Sequence, residues 1–155
     1  MATYLLLHNI RSTYNVGSIF RTADAAGVEK IFLTGYTPTP TDRHGRTRSD
    51  ISKTALGAEG SVAWEYHAQP GPLVKELKDQ SVRVVGVEQD ERSIPLTKYS
   101  SQKKELQDIC WILGNEVRGI SSQLRRQCDE LVEIPMCGKK ESLNVSVAAG
   151  IVLFC

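Results

Sequence analysis

The chain has 155 residues and a mass of 17.2 kDa, which fits a single domain, residues 1–155, with a core of its own. Hydrophobic residues make up 41% and charged residues 24%, which excludes a disordered, collagen-like or coiled-coil chain. The formal charge of +1 excludes a histone-like protein held to nucleic acid by bulk charge, so any contact with nucleic acid is expected to be local.

Apolar runs typical of strands alternate along the chain with amphipathic runs typical of helices. This order predicts an α/β domain with a mainly parallel sheet flanked by helices. Six strands are predicted, at residues 4–8, 30–34, 63–66, 83–87, 109–113 and 131–134.

Four helices are predicted. Asn15 is suited to cap the first, Gly27 to end it, and the apolar residues between them recur at helical spacing. The second begins at Pro72, a residue suited to a first turn, and ends before Ser81. The third spans residues 121–128. The last begins near Asn144 and is apolar on almost all sides, which indicates burial in the domain or in a dimer interface.

Residues 35–54 are rich in Pro, Thr and Arg and lack periodicity, so we expect a long loop that is functional or mobile. Basic residues cluster in it at Arg43, Arg46 and Arg48, and again later at Lys139 and Lys140. Such clusters contact phosphates in nucleic-acid-binding proteins, but they also occur in ordinary solvated loops.

The first of three glycine-containing motifs covers residues 9–24 and follows the first strand. Gly17 and Arg21 lie one turn apart on one helical face, near a helix start whose dipole is positive. This arrangement could hold a phosphate. It is equally compatible with an ordinary capped helix that carries a surface arginine.

The second motif, residues 112–121, places Glu116 between Gly114 and Gly119, which allow tight turns close to a ligand. A plain turn with a solvated glutamate is the alternative. In the third motif, residues 133–148, a strand ends at Pro135 and a glycine loop follows. Ser142, Asn144 and Ser146 then crowd the start of the apolar helix, where Ser142 could simply be the cap.

Other familiar signals are missing. The chain has neither a G-x-x-x-x-G-K-[ST] nor a G-x-G-x-x-G motif, so an ATPase or a dinucleotide-dependent dehydrogenase has no support. The three histidines are scattered, and we expect no metal site. Cys137 has no base beside it in sequence and is interpreted as incidental rather than nucleophilic.

We expect a cytoplasmic protein. The four cysteines form no C-x-x-C pair, and a chain of this size does not need disulfides for stability. The N-terminal apolar run is short, with no basic region before it, and no segment approaches the roughly 20 apolar residues that span a bilayer. Neither secretion nor membrane insertion is therefore expected.

Taken together, the three motifs carry a family resemblance. The order N-x-G-x-x-x-R, G-x-E-x-x-G and I-P-M-x-G-x-x-x-S-L-N-V-S resembles the SpoU/TrmH family of RNA 2′-O-ribose methyltransferases, within the SPOUT superfamily, over residues 5–154. The resemblance implies an α/β fold whose C-terminal part is threaded into a deep trefoil knot, an exception to the rule against knotted chains.

The resemblance also implies S-adenosylmethionine as cofactor, held in the knot largely through backbone groups. The positions that match this cofactor site are Gly114, Ile134 and Leu143, with their neighbours Leu113, Met136 and Gly138. Val87 matches a further wall of the site, with plain strand core as the alternative. It further implies a homodimer in which Arg21 lies near the methyl group of the cofactor bound by the other chain. Asn15, Glu116, Ser142 and Asn144 match the other polar positions of this centre. No metal is implied.

The implied reaction is attack of a ribose 2′-hydroxyl on the sulfonium methyl, with release of S-adenosylhomocysteine. Arg21 is the family's proposed base, although a guanidinium is hard to deprotonate, and a role in steering phosphate explains the arginine equally well. RNA contacts are expected from a basic set consisting of Arg11, Arg43, Arg46, Arg48, Lys139 and Lys140.

Several alternatives stay open. Both tRNA and rRNA are possible substrates. The chain begins almost at its first strand and stops at Cys155, so recognition is expected to rest on this domain, its basic loop or a partner. A non-catalytic knotted RNA-binding protein and a base methyltransferase of the same superfamily are the other functional hypotheses.

Overall fold

Within the computed structural model, which describes residues 1–102 and 106–155, seven strands form one parallel sheet. In chain order they are β1 (Thr3–His8), β2 (Lys30–Thr34), β3 (Ala63–His67), β4 (Arg83–Val87), β5 (Ile94–Pro95), β6 (Ile109–Leu113) and β7 (Glu130–Glu133). Across the sheet the order is β3-β2-β1-β6-β4-β7-β5. All six predicted strands are confirmed, with bounds within one residue. The two-residue β5 was not predicted because it is too short to show alternation.

The described residues contain seven helices. They are α1 (Thr13–Ala26), α2 (Ser49–Ala55), α3 (Ala58–Ser61), α4 (Pro70–Asp79), α5 (Leu96–Gln102), α6 (Ser122–Gln127) and α7 (Val145–Leu153). None of the helices described is long and apolar enough to cross a membrane.

Three predictions about helix positions are wrong. The cap of α1 is Ser12, whose hydroxyl accepts the Asn15 N–H at 3.1 Å, so Asn15 lies within the first turn and its side chain is free for the site. Helix α4 begins at Pro70, because proline suits any position of a first turn. Residues 35–54 are not loop throughout, since α2 begins at Ser49.

Helices cover both faces of the sheet. Helices α1, α2, α3, α5 and α7 pack on one face, and α4 and α6 on the other. Each face of the sheet therefore has its own hydrophobic core, and the side chains of β1 point alternately into the two cores. Leu5 and Leu7 are buried in the first core and Leu6 in the second. Burial of each such side chain contributes about 1.5–3 kcal/mol, so the centre of the sheet is firmly held.

The topology gathers the three motifs at one edge of the sheet. Strands β1, β6, β4 and β7 are successive neighbours and run in parallel, so the loops after them emerge at the same, carboxyl edge. The first motif follows β1, the second follows β6 and the third follows β7. This edge is therefore the place to look for a site.

Candidate functional site

A cavity of about 340 Å³ opens at the carboxyl edge of the sheet, between the loops that follow β4, β6 and β7. Six of the seven positions assigned to a cofactor lie in its wall: Val87, Leu113, Gly114, Ile134, Met136 and Leu143. The seventh, Gly138, is exposed and lies outside the lining. Apolar side chains share the wall of this cavity with polar ones, several of which are carboxylates.

A tight turn after β6 shapes one wall of the cavity. Asn115 and Gly119 exchange backbone hydrogen bonds of 3.1 and 2.8 Å, and Gly119 adopts a φ of 68°, which favours glycine. A Cβ at Gly114 would overlap the backbone of Gly119 and Ile120. Glycine at both positions is therefore what allows the turn to close on itself beside the cavity.

Glu116, at the tip of this turn, bridges the second motif to the first. Its carboxylate accepts the N–H groups of Arg11 and Ser12 at 3.0–3.2 Å and the Asn15 amide N–H at 3.2 Å. Burial alone would raise the pKa of the Glu116 carboxyl, but these hydrogen bonds outweigh it and hold the pKa below its ordinary value. The carboxylate is thus anchored rather than merely solvated.

Asn15 carries the connection on to the third motif. Its side-chain oxygen accepts the Asn144 amide N–H at 3.2 Å, while its own amide N–H group donates to Glu116. The Asn144 oxygen in turn accepts the Ser146 N–H at 2.9 Å, so Asn144 and not Ser142 caps α7. Ser142 is exposed and lines the cavity. Residues from all three motifs are thereby joined in one hydrogen-bonded chain.

Two residues of the site, Glu88 and Gln89, were not predicted from the sequence. The Glu88 carboxylate accepts the Ile120 N–H at 2.7 Å, and the Gln89 amide donates to the Glu141 carbonyl at 2.7 Å. Both residues line the cavity and tie its walls together. The only available signal was their position directly after Val87, at the end of a predicted strand.

Arg21 lies outside the cavity of its own chain. It is exposed on α1 and lines a separate groove with Tyr14, Lys53 and Phe154. Gly17, one turn earlier, is buried under α2, and a Cβ there would overlap the Ile51 carbonyl. The suggested phosphate site at Gly17 is therefore wrong, because α2 occupies the space.

The basic loop is more nearly neutral than its sequence suggests. Arg46 pairs with Asp42 at 3.1 Å and Arg48 with Asp50 at 2.9 Å, while Arg43 donates to the His44 ring at 3.2 Å. Several hydrogen bonds hold the pKa of the Asp42 carboxyl below its ordinary value, and the bond donated by the Arg46 backbone N–H contributes most. Exposed pairs of this kind are weak, so the arginines can exchange them for phosphates.

The other predicted basic residues lie closer to the cavity. Lys139 and Lys140 are exposed in the loop between Met136 and Ser142. Met136 and Ser142 themselves line the cavity. Arg11 is exposed at the foot of α1, where its backbone N–H is bound by Glu116. The two lysines are thus linked to the cavity lining by the chain, and Arg11 by its hydrogen bond to Glu116.

Histidine and cysteine take no part in the site. Burial lowers the pKa of His8, whose Nδ1 lies 2.9 Å from the Thr34 hydroxyl. Burial raises the pKa of the Cys128 thiol to about 11, so this thiol stays protonated at neutral pH. No cluster of three His, Cys, Asp or Glu side chains that could hold a metal ion occurs among residues 1–102 and 106–155.

The fold and the site define a class: an α/β domain with a cavity of small-molecule size at the carboxyl edge of a parallel sheet. The model of the SpoU rRNA Methylase family matches residues 2–154, which is nearly the whole chain. The chain belongs to this family.

Named relatives agree with this assignment. The 23S rRNA (guanosine-2'-O-)-methyltransferase RlmB of Bordetella pertussis is 32% identical over 153 residues, which cover 99% of this chain and 58% of the relative. RlmB of Escherichia coli K12 is 33% identical over 150 residues, 97% of this chain and 57% of the relative. The chain thus spans a little more than half the length of these relatives.

A solved structure shows the same fold with a ligand. The AdoMet-bound rRNA methyltransferase from Sinorhizobium meliloti superposes with a TM-score of 0.86 at 29% identity, covering 99% of this chain and 54% of that one. AdoMet is S-adenosylmethionine.

Proposed function

We propose that this protein transfers a methyl group from S-adenosylmethionine to a ribose 2′-hydroxyl of RNA. The observation that carries the proposal is the hydrogen-bonded chain Glu116–Asn15–Asn144, which joins three distant motifs at the rim of one cavity. Family membership supports the reaction class, and the names of the RlmB relatives support ribosomal RNA over tRNA. We also propose a cytoplasmic location, which an rRNA substrate supports.

The cavity fits S-adenosylmethionine. Its volume of about 340 Å³ falls within the range of about 300–1,000 Å³ typical of small-molecule sites. Apolar side chains, including Leu113, Ile134 and Leu143, suit the adenosine, and the carboxylates of Glu88 and Glu116 lie in the same wall, near a cationic ligand. When bound, this cosubstrate supplies a methyl group activated by its positively charged sulfur.

The chain's own residues must hold the 2′-hydroxyl in line with that methyl group and provide a route for its proton. We infer that Arg21 of the partner subunit completes the centre, because Arg21 does not reach the cavity of its own chain. Guanidinium groups remain charged at neutral pH, so this arginine orients the RNA phosphate while water accepts the proton.

An unpartnered apolar face supports the homodimer. Val147, Ile151 and Phe154 follow one another along the outer side of α7, where they are 49%, 37% and 66% exposed. Phe154 shares the groove of Arg21 and Tyr14, which places this face beside α1. A self-complementary pairing about a two-fold axis would cover these side chains and bring each Arg21 to the other chain.

We also propose the C-terminal trefoil knot. Strand β7 lies beyond β4, yet the helix that follows it packs against α1 and against β6, on the other side of β4. The chain therefore has to return across β4 after leaving β7. This return across β4 supports a threaded chain.

The proposal is tested by methyl transfer from labelled S-adenosylmethionine to rRNA and, separately, to bulk tRNA, with the product digested to nucleosides. The proteins compared are the wild type, Arg21→Ala and Lys75→Ala, a control that removes an exposed cation on α4. We expect a 2′-O-methylated nucleoside from rRNA, lost in Arg21→Ala and retained in Lys75→Ala. A methylated base, or cofactor binding with neither RNA labelled, would overturn the proposal.

A further inference from the structure

A second cleft opens beside the cavity and shares part of its wall. It is formed by the loops that carry Arg11, Tyr36 and Arg118, and we call it the Tyr36 cleft. Asn115, Glu116 and Val117 line both this cleft and the cavity. A ligand in the Tyr36 cleft would therefore lie directly next to a ligand in the cavity.

The Tyr36 ring is exposed but fixed at both ends. Its backbone N–H donates to the Asn9 side-chain oxygen at 3.0 Å, and its hydroxyl accepts the Asn115 amide N–H at 2.9 Å. The same Asn115 amide also donates to the Asn9 carbonyl at 3.0 Å. Tyr36 nevertheless remains 59% exposed. An aromatic ring already ordered in solvent offers a stacking surface that costs little entropy to use.

The charges around the ring suit an anionic ligand. Arg11 and Arg118 are both exposed in the cleft. Glu116 also lines it, but its carboxylate is engaged by the N–H groups of Arg11, Ser12 and Asn15. An exposed aromatic ring and two guanidinium groups in one cleft suit single-stranded RNA, since the ring can stack on a base and the cations can pair with phosphates.

We propose that the Tyr36 cleft is a base-stacking subsite for a nucleotide adjacent to the methylated ribose. Tyr36 stacks on the base, and Arg11 and Arg118 contact the flanking phosphates. The inference rests on the proposed RNA methyl transfer, since it places a second nucleotide next to the one that enters the reaction. The stacking contact comes from Tyr36, which lies outside the three motifs.

The direct test is photo-crosslinking of the full chain, saturated with S-adenosylhomocysteine, to rRNA and tRNA transcribed with 5-iodouridine. Iodinated uracil crosslinks efficiently to an aromatic ring on which it stacks, and stacking tolerates any base. Mass spectrometry of the digested complex should locate a crosslink on Tyr36. Crosslinks confined to other residues, or none on bound RNA, would overturn the subsite.

Two variants separate stacking from a structural role. Tyr36→Phe keeps the ring and loses only the hydrogen bond from Asn115, whereas Tyr36→Leu loses the ring. We expect Tyr36→Leu to raise the KM for RNA by about 5- to 160-fold, the range expected for one lost base–aromatic stack, without changing kcat or cofactor affinity. Tyr36→Phe should raise this KM far less than Tyr36→Leu does, because it keeps the stacking ring.

The two proposals fail in different ways. Methyl transfer with an unchanged RNA KM in Tyr36→Leu would contradict the subsite and leave the proposed function intact. Absence of any RNA binding by the wild type would contradict both.

Discussion

Gly17 sets the distance between α1 and α2. A Cβ at this position would overlap the Thr54 hydroxyl and the Ile51 carbonyl oxygen, and the carbonyl belongs to rigid helix backbone. Overpacking costs about 1–3 kcal/mol, more than the roughly 1 kcal/mol by which alanine is preferred to glycine in a helix. We predict that Gly17→Ala lowers the free energy of unfolding, measured with urea.

The matched control for this substitution is Gly60→Ala, because a Cβ at Gly60 meets nothing within 4 Å. This variant should be as stable as the wild type or slightly more so. If Gly17→Ala were equally stable, the close packing of α1 on α2 would be wrong.

Glu116 should make the stability of the protein depend on acid pH. Its hydrogen bonds hold the pKa of its carboxyl below 4.5 in the folded state, so its stabilising effect is full above that value and is lost as the pH falls through the folded pKa. Because the side chain is partly exposed, we expect Glu116→Gln to cost only about 1 kcal/mol near pH 7.

Urea unfolding of both proteins over a range of pH measures this dependence. The difference between wild type and Glu116→Gln should stay constant between about pH 5 and 7 and shrink below about pH 4. A difference that grew toward acid pH would contradict the anchoring of the Glu116 carboxylate.

At the scale of elements, Asn144 both begins α7 and ties it to α1. Asn144→Ala removes the cap and the bond to Asn15, and should lower stability by about 1 kcal/mol. We expect Asn144→Ala to lose methyl transfer as well. Asn144→Ser keeps a capping hydroxyl that is too short to reach Asn15, so it should be stable again but still not transfer methyl groups. Thermal unfolding measures the stability of these variants, and the methyl-transfer assay measures their activity. If Asn144→Ser recovered both stability and methyl transfer, capping alone would matter and the bond to Asn15 would not.

The elements show how far the sequence alone can be taken. The strands were predictable because nearly every one is a short β-branched or leucine run, such as residues 83–87, that the sheet buries on both faces. Helix α2 was not, because only Ile51 and Ala55 are buried in it and its other residues are polar. Seven residues with two apolar positions carry too little periodicity to be recognised.

The site was predictable in composition but not in geometry. The three motifs place Glu116, Asn15 and Asn144 more than 25 residues apart, and no local rule says that their side chains meet. Only the strand order, in which β6 lies between β1 and β4, brings them together. Tyr36 carried no signal at all, because its fixed orientation depends on Asn9 and Asn115.

At the scale of the whole molecule, the exposed face of α7 should hold two chains together. We predict that Ile151→Asp, which places a charge in this apolar stripe, yields a monomer by analytical ultracentrifugation. Leu106→Asp is the matched control, since Leu106 is 92% exposed and lies outside the stripe. The monomer should still bind S-adenosylmethionine, because one chain lines the cavity, but should not methylate RNA.

If two chains share each methyltransferase site, two variants that are inactive alone should complement each other when mixed. Arg21→Ala lacks the arginine, and Leu143→Asp places a charge in the cofactor cavity; each should be inactive alone. Co-expressed, they form mixed dimers with one intact site, and random pairing should restore about a quarter of the wild-type methyl transfer to RNA. Mixed dimers that remain inactive would contradict a site completed by Arg21 of the partner subunit.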